Sequence, residues 1–202
     1  MRPVIIIMAM AVVSQSIVGC SPLRWENLPK PQTEVPVLSE EFDGLTRRAA
    51  PIIRKLVKNR PVPVTLIQVY STRFHKLPTK EQVAISYRCG PGEPPKPYGC
   101  ILIKDTVLKE LSDVALAGLL AHELRHIELA HRTTPTASQL RTTEFDADDA
   151  AIARLTDAGY CGGPVMRQTF LELIKLTPGA GGGFIGERFA RTLNTPCALS
   201  LP

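Results

Sequence analysis

The segment from Ala115 to Ala130 restricts the possible folds more than any other part of the sequence. Its residues are apolar on nearly all sides of a helix, so a helix here has to be covered by other elements on every side. The same segment contains His122, Glu123 and His126, and burying such polar side chains costs free energy unless each has a partner. It therefore predicts a central helix that carries a buried polar site.

The two histidines are four residues apart, which places them on one face of the helix. Two imidazoles at this spacing can bind one Zn²⁺, and the adjacent Glu123 can polarise a metal-bound water. The alternative is a structural helix with incidental histidines. That alternative leaves buried polar groups without the partner that a metal ion would supply. The motif therefore predicts a metal site with a catalytic carboxylate beside it.

A catalytic zinc ion needs a third protein ligand and leaves its fourth position for water. The sequence breaks at residues 132–135, which predicts a helical hairpin centred near residue 134. The midpoint of the two histidines is residue 124, so an antiparallel return by the same number of residues reaches Glu144. Its side chain is long enough to reach between helices that pack about 8–10 Å apart. Glu144 is therefore the predicted third ligand.

The other nearby carboxylates are predicted to have different roles. Asp148 lies four residues after Glu144 on the same helix face, where it can accept an imidazole N–H and fix the tautomer of a ligand. Asp146 is about 200° from Glu144 around the helix and is expected to point away from the site. A solvent-exposed acidic face is the expected role of Asp146 and Asp149.

The order of the predicted elements indicates an α+β fold with a helix, a small β meander and then a helical lobe. Gly159 is the expected C-terminal stop of one of the later helices. The predicted elements are a helix at 39–58, strands at 62–70, 83–87 and 101–103, and helices at 115–130, 136–158, 164–176 and 187–193.

The N-terminal residues are predicted to be an export signal. Arg2 precedes the apolar run from Val4 to Val13, which is shorter than the roughly 20 residues of a permanent membrane span but typical of a secretory signal. The end of this segment, Ile17 to Cys20, resembles a bacterial lipobox. The resemblance implies cleavage before a lipidated Cys20, and Ser21 after it implies sorting to the outer membrane. The alternative is an ordinary cleaved signal with a free Cys20.

This interpretation divides the chain into a signal peptide at 1–19, a lipidated Pro-rich tether at 20–38 and a folded domain at 39–202. We expect the domain to be lipid-anchored at the periplasmic face of a Gram-negative outer membrane. A nucleic-acid partner is not expected, because the net charge is only +5, the basic residues are dispersed and aromatic residues are 5% of the chain.

The number of cysteines is consistent with export to an oxidising compartment. Without Cys20 four cysteines remain, and an even number in an exported chain predicts two disulfide bonds with three possible connectivities. A cysteine-rich metal site is disfavoured because no short C-x-x-C spacing is present. We favour Cys89–Cys100, which would close a loop rich in glycine and proline, together with Cys161–Cys197.

The pattern His122-Glu-x-x-His126 followed by Glu144-x-x-x-Asp148 resembles the gluzincin metallopeptidases. The wider stretch from residue 101 to residue 165 resembles the M48 family, which includes HtpX, and in particular its short periplasmic lipoproteins. The resemblance implies a zincin-like metallopeptidase domain in which the histidine-bearing helix packs with the Glu144-bearing helix. It also implies a strand at 101–103 along the edge of the cleft, paired with an extended substrate.

Carried over to this chain, the resemblance implies one Zn²⁺ held by His122, His126 and Glu144, with Glu123 as general base. It implies that Asp148 orients a histidine. Arg188 corresponds to an arginine of the family with a possible role in stabilising the transition state. No histidine follows His131, although the family often carries one shortly before that arginine.

The expected function is a zinc metalloendopeptidase that degrades misfolded or stalled envelope proteins. The alternative is a chaperone-like or binding lipoprotein that keeps the metal but hydrolyses little, which the missing late histidine would favour. A purely structural zinc site would need four protein ligands, and no convincing fourth ligand is present.

Overall fold

The computed structural model describes residues 40–62, 65–70, 83–89, 98–129, 137–177 and 184–197. The predicted signal peptide, the tether and Cys20 lie outside these residues. The elements are α1 (Glu40–Val57), β1 (Thr65–Tyr70), β2 (Ala84–Cys89), β3 (Tyr98–Lys104), α2 (Asp105–Glu110), α3 (Asp113–Leu129), α4 (Ala137–Asp157), α5 (Gly162–Leu176) and α6 (Phe184–Thr192). The described residues form helices and one small sheet, as predicted for an α+β fold.

The three strands form a sheet in the order β1-β3-β2, with β3 parallel to β1 and antiparallel to β2. The predicted β meander is therefore wrong, because a meander would place the strands side by side in chain order. Ile101 and Ile103 of β3 are fully buried, and the central position lets both edges of this apolar strand hydrogen-bond. Chain order alone does not reveal which strand takes that position.

The expectation that the strand at 101–103 lines a cleft edge is also wrong. Ile101 lies opposite Ile67 of β1 on one side and opposite Ser86 of β2 on the other. Because both edges of β3 are paired, this strand has no free backbone groups to offer to a substrate. Among the described strands, β1 and β2 form the edges, and β2 packs along α3.

Helix α3 occupies the centre of the fold, as its apolar sequence predicts. It contacts α1, α4, α5 and the sheet. Two glycines allow these close approaches: a Cβ at Gly118 would lie 2.1 Å from Thr169 Oγ1 of α5, and one at Gly99 of β3 would lie 2.5 Å from Ile127 Cγ2. Larger residues at these positions would push α5 or the sheet away from α3.

Helix α4 ends as the sequence predicts. Gly159 has a φ of 77°, the left-handed conformation that glycine adopts without steric cost. Its N–H donates to the Thr156 carbonyl at 2.9 Å, and the Tyr160 N–H donates to the Leu155 carbonyl at 2.9 Å. The chain can therefore reverse directly into α5.

Buried Arg154 of α4 links three parts of the fold. Its Nη1 donates to the carbonyls of Leu56 and Arg60 at 3.1 Å and 2.9 Å, at and just beyond the end of α1. Its Nη2 pairs with the Glu128 carboxylate of α3. These contacts tie the end of α1 to the helix pair that carries the candidate site.

The structure confirms the disulfide bond between Cys161 and Cys197, which joins the start of α5 to the segment after α6. Cys100 is also disulfide-bonded. The side chain of Cys89 lies outside the described part of the chain, so the Cys89–Cys100 pairing stays a prediction. Among the described residues, no helix combines the length and apolar composition needed to cross a bilayer.

Removing the Cys161–Cys197 bond by a double Cys→Ala substitution is expected to lower the free energy of unfolding by about 3–4 kcal/mol, because the bond closes a long loop in the unfolded chain. The two cysteines are 36 residues apart. Denaturant unfolding of the variant and of the oxidised parent measures the difference. A loss below about 1 kcal/mol would contradict the expectation.

Candidate metal centre

Helices α3 and α4 bring His122, His126 and Glu144 together in a group that could hold a metal ion. The Nε2 atoms of the two histidines are 3.0 Å apart. Glu144 Oε2 lies 3.3 Å from His122 Nε2, and Glu144 Oε1 lies 3.4 Å from His126 Nε2. One donor atom from each of the three residues that the sequence selected lies within 4.8 Å of the other two.

These distances fit a small metal ion. Ligands about 2.0–2.1 Å from a tetrahedral zinc ion are about 3.3–3.4 Å from one another. The separation between the two histidines, and that between each histidine and its nearer Glu144 oxygen, are of this size. Two imidazole nitrogens and one carboxylate oxygen are also a donor set that suits zinc and related transition metals. The two facing Nε2 lone pairs would repel each other unless a proton or a cation lies between them.

Glu144 is the most deeply buried member of the group, with a side chain that is 0% exposed. Its oxygens lie near both histidines and 2.8 Å from Arg188 Nη1, yet neither accepts a hydrogen bond of good geometry from the described residues. Burial raises the pKa of this carboxyl, but Arg188 and the two imidazoles lower it further, so the net pKa is well below its ordinary value. The carboxylate is thus ionised and available as a ligand.

Asp148 lies 2.9 Å from His122 Nδ1. A carboxylate cannot donate, so the imidazole must place its proton on Nδ1, and in the neutral ring the Nε2 lone pair then faces His126 and Glu144. Burial and Arg188 lower the pKa of His122, but the neighbouring carboxylates of Asp148 and Glu144 raise it to about 9. The two carboxylates therefore favour the positively charged ring when no metal is bound.

Arg188 of α6 contacts both carboxylates and His122, whose Nδ1 and Nε2 lie 3.2 Å and 3.3 Å from its Nη2. Its Nε and Nη2 donate to the two oxygens of Asp148 at 2.8 Å and 2.6 Å. The guanidinium carbon lies 5.1 Å from the ring centroid of Phe170 and 5.9 Å from that of Phe184. Burial raises the pKa of Asp148, but Arg188 and His122 together lower it further, so the net pKa of this carboxyl is below its ordinary value.

The other three acidic residues considered from the sequence are one buried, one half-buried and one exposed. Glu123 is fully buried on α3, next to His122 and three residues before His126. Asp146 pairs with Arg125 at 3.1 Å and is 45% exposed, and Asp149 pairs with Arg191 at 2.9 Å. Neither aspartate takes part in the metal group. Local sequence reasoning did not foresee that Arg188 contacts both Glu144 and Asp148, because no pattern near residue 188 encodes that contact.

Comparison with protein-family models, with curated proteins and with solved structures returns no match for this chain. The function therefore has to be inferred from the geometry and chemistry of this group of residues.

Replacing Glu144 with Gln is expected to lower metal occupancy strongly, because it removes a buried anionic ligand. Replacing Asp146 with Asn is the matched control and should leave occupancy near that of the parent chain, since Asp146 faces Arg125. Metal analysis after dialysis against a dilute chelator measures both. Equal losses in the two variants would contradict the ligand assignment.

Proposed function

We propose that this chain is a zinc-dependent metalloendopeptidase with a zincin-like domain of the M48 type. The observation that carries the proposal is the largely buried group of His122, His126 and Glu144, which offers one donor atom each within 4.8 Å of one another. Its buried neighbour Glu123 supplies the carboxylate that a hydrolase of this kind needs. One Zn²⁺ per chain would be held by the two histidines and Glu144.

The ion, when bound, would act as a Lewis acid that polarises a water molecule and a peptide carbonyl. Glu123 would take one proton from the attacking water as the new C–O bond forms. It would return a proton to the amide nitrogen as the C–N bond breaks, so that a carboxylic acid and an amine leave. Asp148 would keep His122 in the tautomer that offers Nε2 to the metal.

A substrate would pair with the outer edge of β2 rather than with β3. Lys104 N–H donates to the Val83 carbonyl at 3.1 Å across the β2–β3 pair, which fixes the alternation of hydrogen bonds along β2. Every second residue from Val83 onward directs its backbone groups towards β3. The residues between them direct theirs to the outer edge, and these are Ala84, Ser86 and Arg88. This edge strand packs along α3, the helix that carries the histidines, and could add an extended polypeptide by strand addition.

Arg188 fits a positioning role better than contact with the transition state. Its side chain is only 7% exposed, and its guanidinium already holds Asp148 by two hydrogen bonds and lies beside Glu144. We therefore assign it to holding the two carboxylates in place. Peptidases of the M48 type often carry a histidine shortly before this arginine. With Arg188 assigned to positioning, we assign no residue of this chain to the electrostatic role of that histidine.

The absence of that histidine favours a second candidate function, a chaperone-like or binding lipoprotein that keeps the metal but hydrolyses little. In either case the proposal includes export and a lipid on Cys20, with misfolded or unfolded envelope proteins as partners. An acyl chain contributes about 0.8 kcal/mol of membrane affinity per CH₂ group, so several chains would anchor the domain durably.

Replacing Glu123 with Gln is expected to reduce casein hydrolysis by at least about 100-fold, because proton transfer by a positioned carboxylate contributes roughly 10²–10⁴-fold. Zinc content should stay near one per chain, because Glu123 is not a ligand in the proposal. Glu110→Gln, at an exposed position on α2, is the control. Zinc-loaded parent chain that cleaves no unfolded polypeptide would leave the chaperone-like candidate instead.

Replacing Arg188 with Met is expected to weaken zinc binding by about 10–100-fold, the range typical of residues that orient metal ligands. Arg188→Lys should recover part of the loss, because an ammonium can still pair with Asp148. Arg191→Met removes an exposed arginine of the same helix and should leave the affinity unchanged. Competition with a chromophoric chelator gives the affinity, and the Co²⁺ absorption spectrum reports the ligand geometry.

Circular dichroism would check that the three arginine variants fold. Equal affinities in the Arg188→Met and Arg191→Met proteins would refute the positioning role.

A further inference from the structure

The Cys161–Cys197 bond lies at the surface of the fold. Cys197 is exposed and Cys161 is half-buried, whereas disulfide-bonded Cys100 is only 2% exposed on the central strand of the sheet. Reduction of a disulfide begins when a thiolate reaches one of its sulfur atoms, so access decides which bond reacts first. A thiol in solution is therefore expected to reduce the Cys161–Cys197 bond before the bond of Cys100.

Close contacts connect this bond to α6. A Cβ at Gly163, in the first turn of α5, would lie 2.4 Å from the Thr195 carbonyl oxygen, so a larger residue would push the segment after α6 away. Arg167 Nη2 donates to the same carbonyl at 3.3 Å. The Thr195 N–H donates to the carbonyl of Thr192, the last residue of α6, at 3.2 Å. The bond therefore holds the end of α6 against the start of α5.

Helix α6 depends on the rest of the fold for its position. It has nine residues, fewer than a helix needs to be stable alone in water. The ion pairs of Glu187 and Arg191 are solvent-exposed and contribute little. Arg188, between these two residues, donates two hydrogen bonds to Asp148 and lies 2.8 Å from Glu144. Loosening of α6 would therefore reach the metal site through Arg188.

We propose that the Cys161–Cys197 bond is a redox switch of the metal site. Its reduction frees the end of α6, so that Arg188 holds Asp148 and Glu144 less firmly and zinc binds more weakly. The inference rests on the metal site of the proposed function, whose regulation it names, but not on peptidase activity. Coupling between two sites is typically about 5–150-fold, and the loss of about 10–100-fold expected on removing Arg188 sets the upper limit.

The reductant is a dithiol, and the exchange balances electrons and protons. Its thiolate attacks Cys197, the more exposed residue. A mixed disulfide then forms, the Cys161–Cys197 bond breaks, and Cys161 leaves as a thiolate that takes up a proton. The second thiol of the reductant attacks the mixed disulfide, which closes a disulfide within the reductant and releases Cys197 as a thiol. The protein gains two electrons and two protons, and the dithiol loses the same number.

The first test asks whether the bond can be reduced in the folded chain. The chain is incubated with dithiothreitol at low concentration, free thiols are blocked with iodoacetamide, and peptide mapping identifies the modified cysteines. We expect modification of Cys161 and Cys197 but not of Cys100, with the circular dichroism spectrum of the folded chain retained. Unfolding on reduction, or a bond that resists until the chain unfolds, would overturn the proposal.

The second test measures zinc affinity by competition with a chromophoric chelator. It uses the double variant Cys161→Ser with Cys197→Ser, because free thiols would themselves bind zinc. This variant should bind zinc about 5–100-fold more weakly than the oxidised parent chain. Equal affinities would overturn the switch and leave the metal site standing. An oxidised parent chain that binds no zinc would refute the metal site and the switch together.

A double-mutant cycle shows whether the loss acts through Arg188. In an Arg188→Met background the same serine pair should lower zinc affinity by less than about twofold, because the residue that transmits the loss is already absent. In an Arg191→Met background, the matched control on the same helix, it should lower affinity as much as in the parent chain. Equal further losses in the two backgrounds would overturn the proposal, because they would indicate a general loosening of the fold.

Discussion

The contact between Arg188 and the two buried carboxylates is the interaction on which the candidate site depends. Glu144 and Asp148 come from α4, the histidines from α3 and the arginine from α6. Without a metal, protonation of His122, whose pKa is raised to about 9, balances these charges. Metal ligation needs neutral imidazoles, and the two carboxylates and the guanidinium then leave a formal charge of −1. A bound cation would compensate this buried charge.

The sequence was sufficient to locate the parts of the site that lie on two consecutive helices. Helical periodicity places His122 and His126 on one face, and the short connection between α3 and α4 fixes which residue of the second helix stands level with them. The observed separations of 3.3 Å and 3.4 Å between Glu144 and the histidines agree with that register. Local geometry carries this information because few residues separate the two helices.

The sequence could not predict the features that depend on distant contacts. The central position of β3 follows from how three strands satisfy their backbone groups together, and no single strand encodes it. The contact between Arg188 and Asp148 joins residues 40 positions apart. An arginine has the same local pattern whether it faces solvent, like Arg191, or a buried carboxylate, like Arg188. Only the packing of α6 distinguishes the two.

The position of Arg188 depends in turn on how such a short helix is held. Helix α6 has nine residues, fewer than a helix needs to be stable alone in water. Two features hold it in place: the burial of Ile185 and Thr192, and the Cys161–Cys197 bond just beyond its end. Its ion pairs, Glu187 with Arg141 and Arg191 with Asp149, are solvent-exposed and contribute little. A disulfide persists in an oxidising compartment. The predicted export of the chain and the geometry of the candidate metal site are therefore linked. An oxidising compartment would preserve the disulfide bond that helps to hold α6, and with it Arg188, against Glu144 and Asp148.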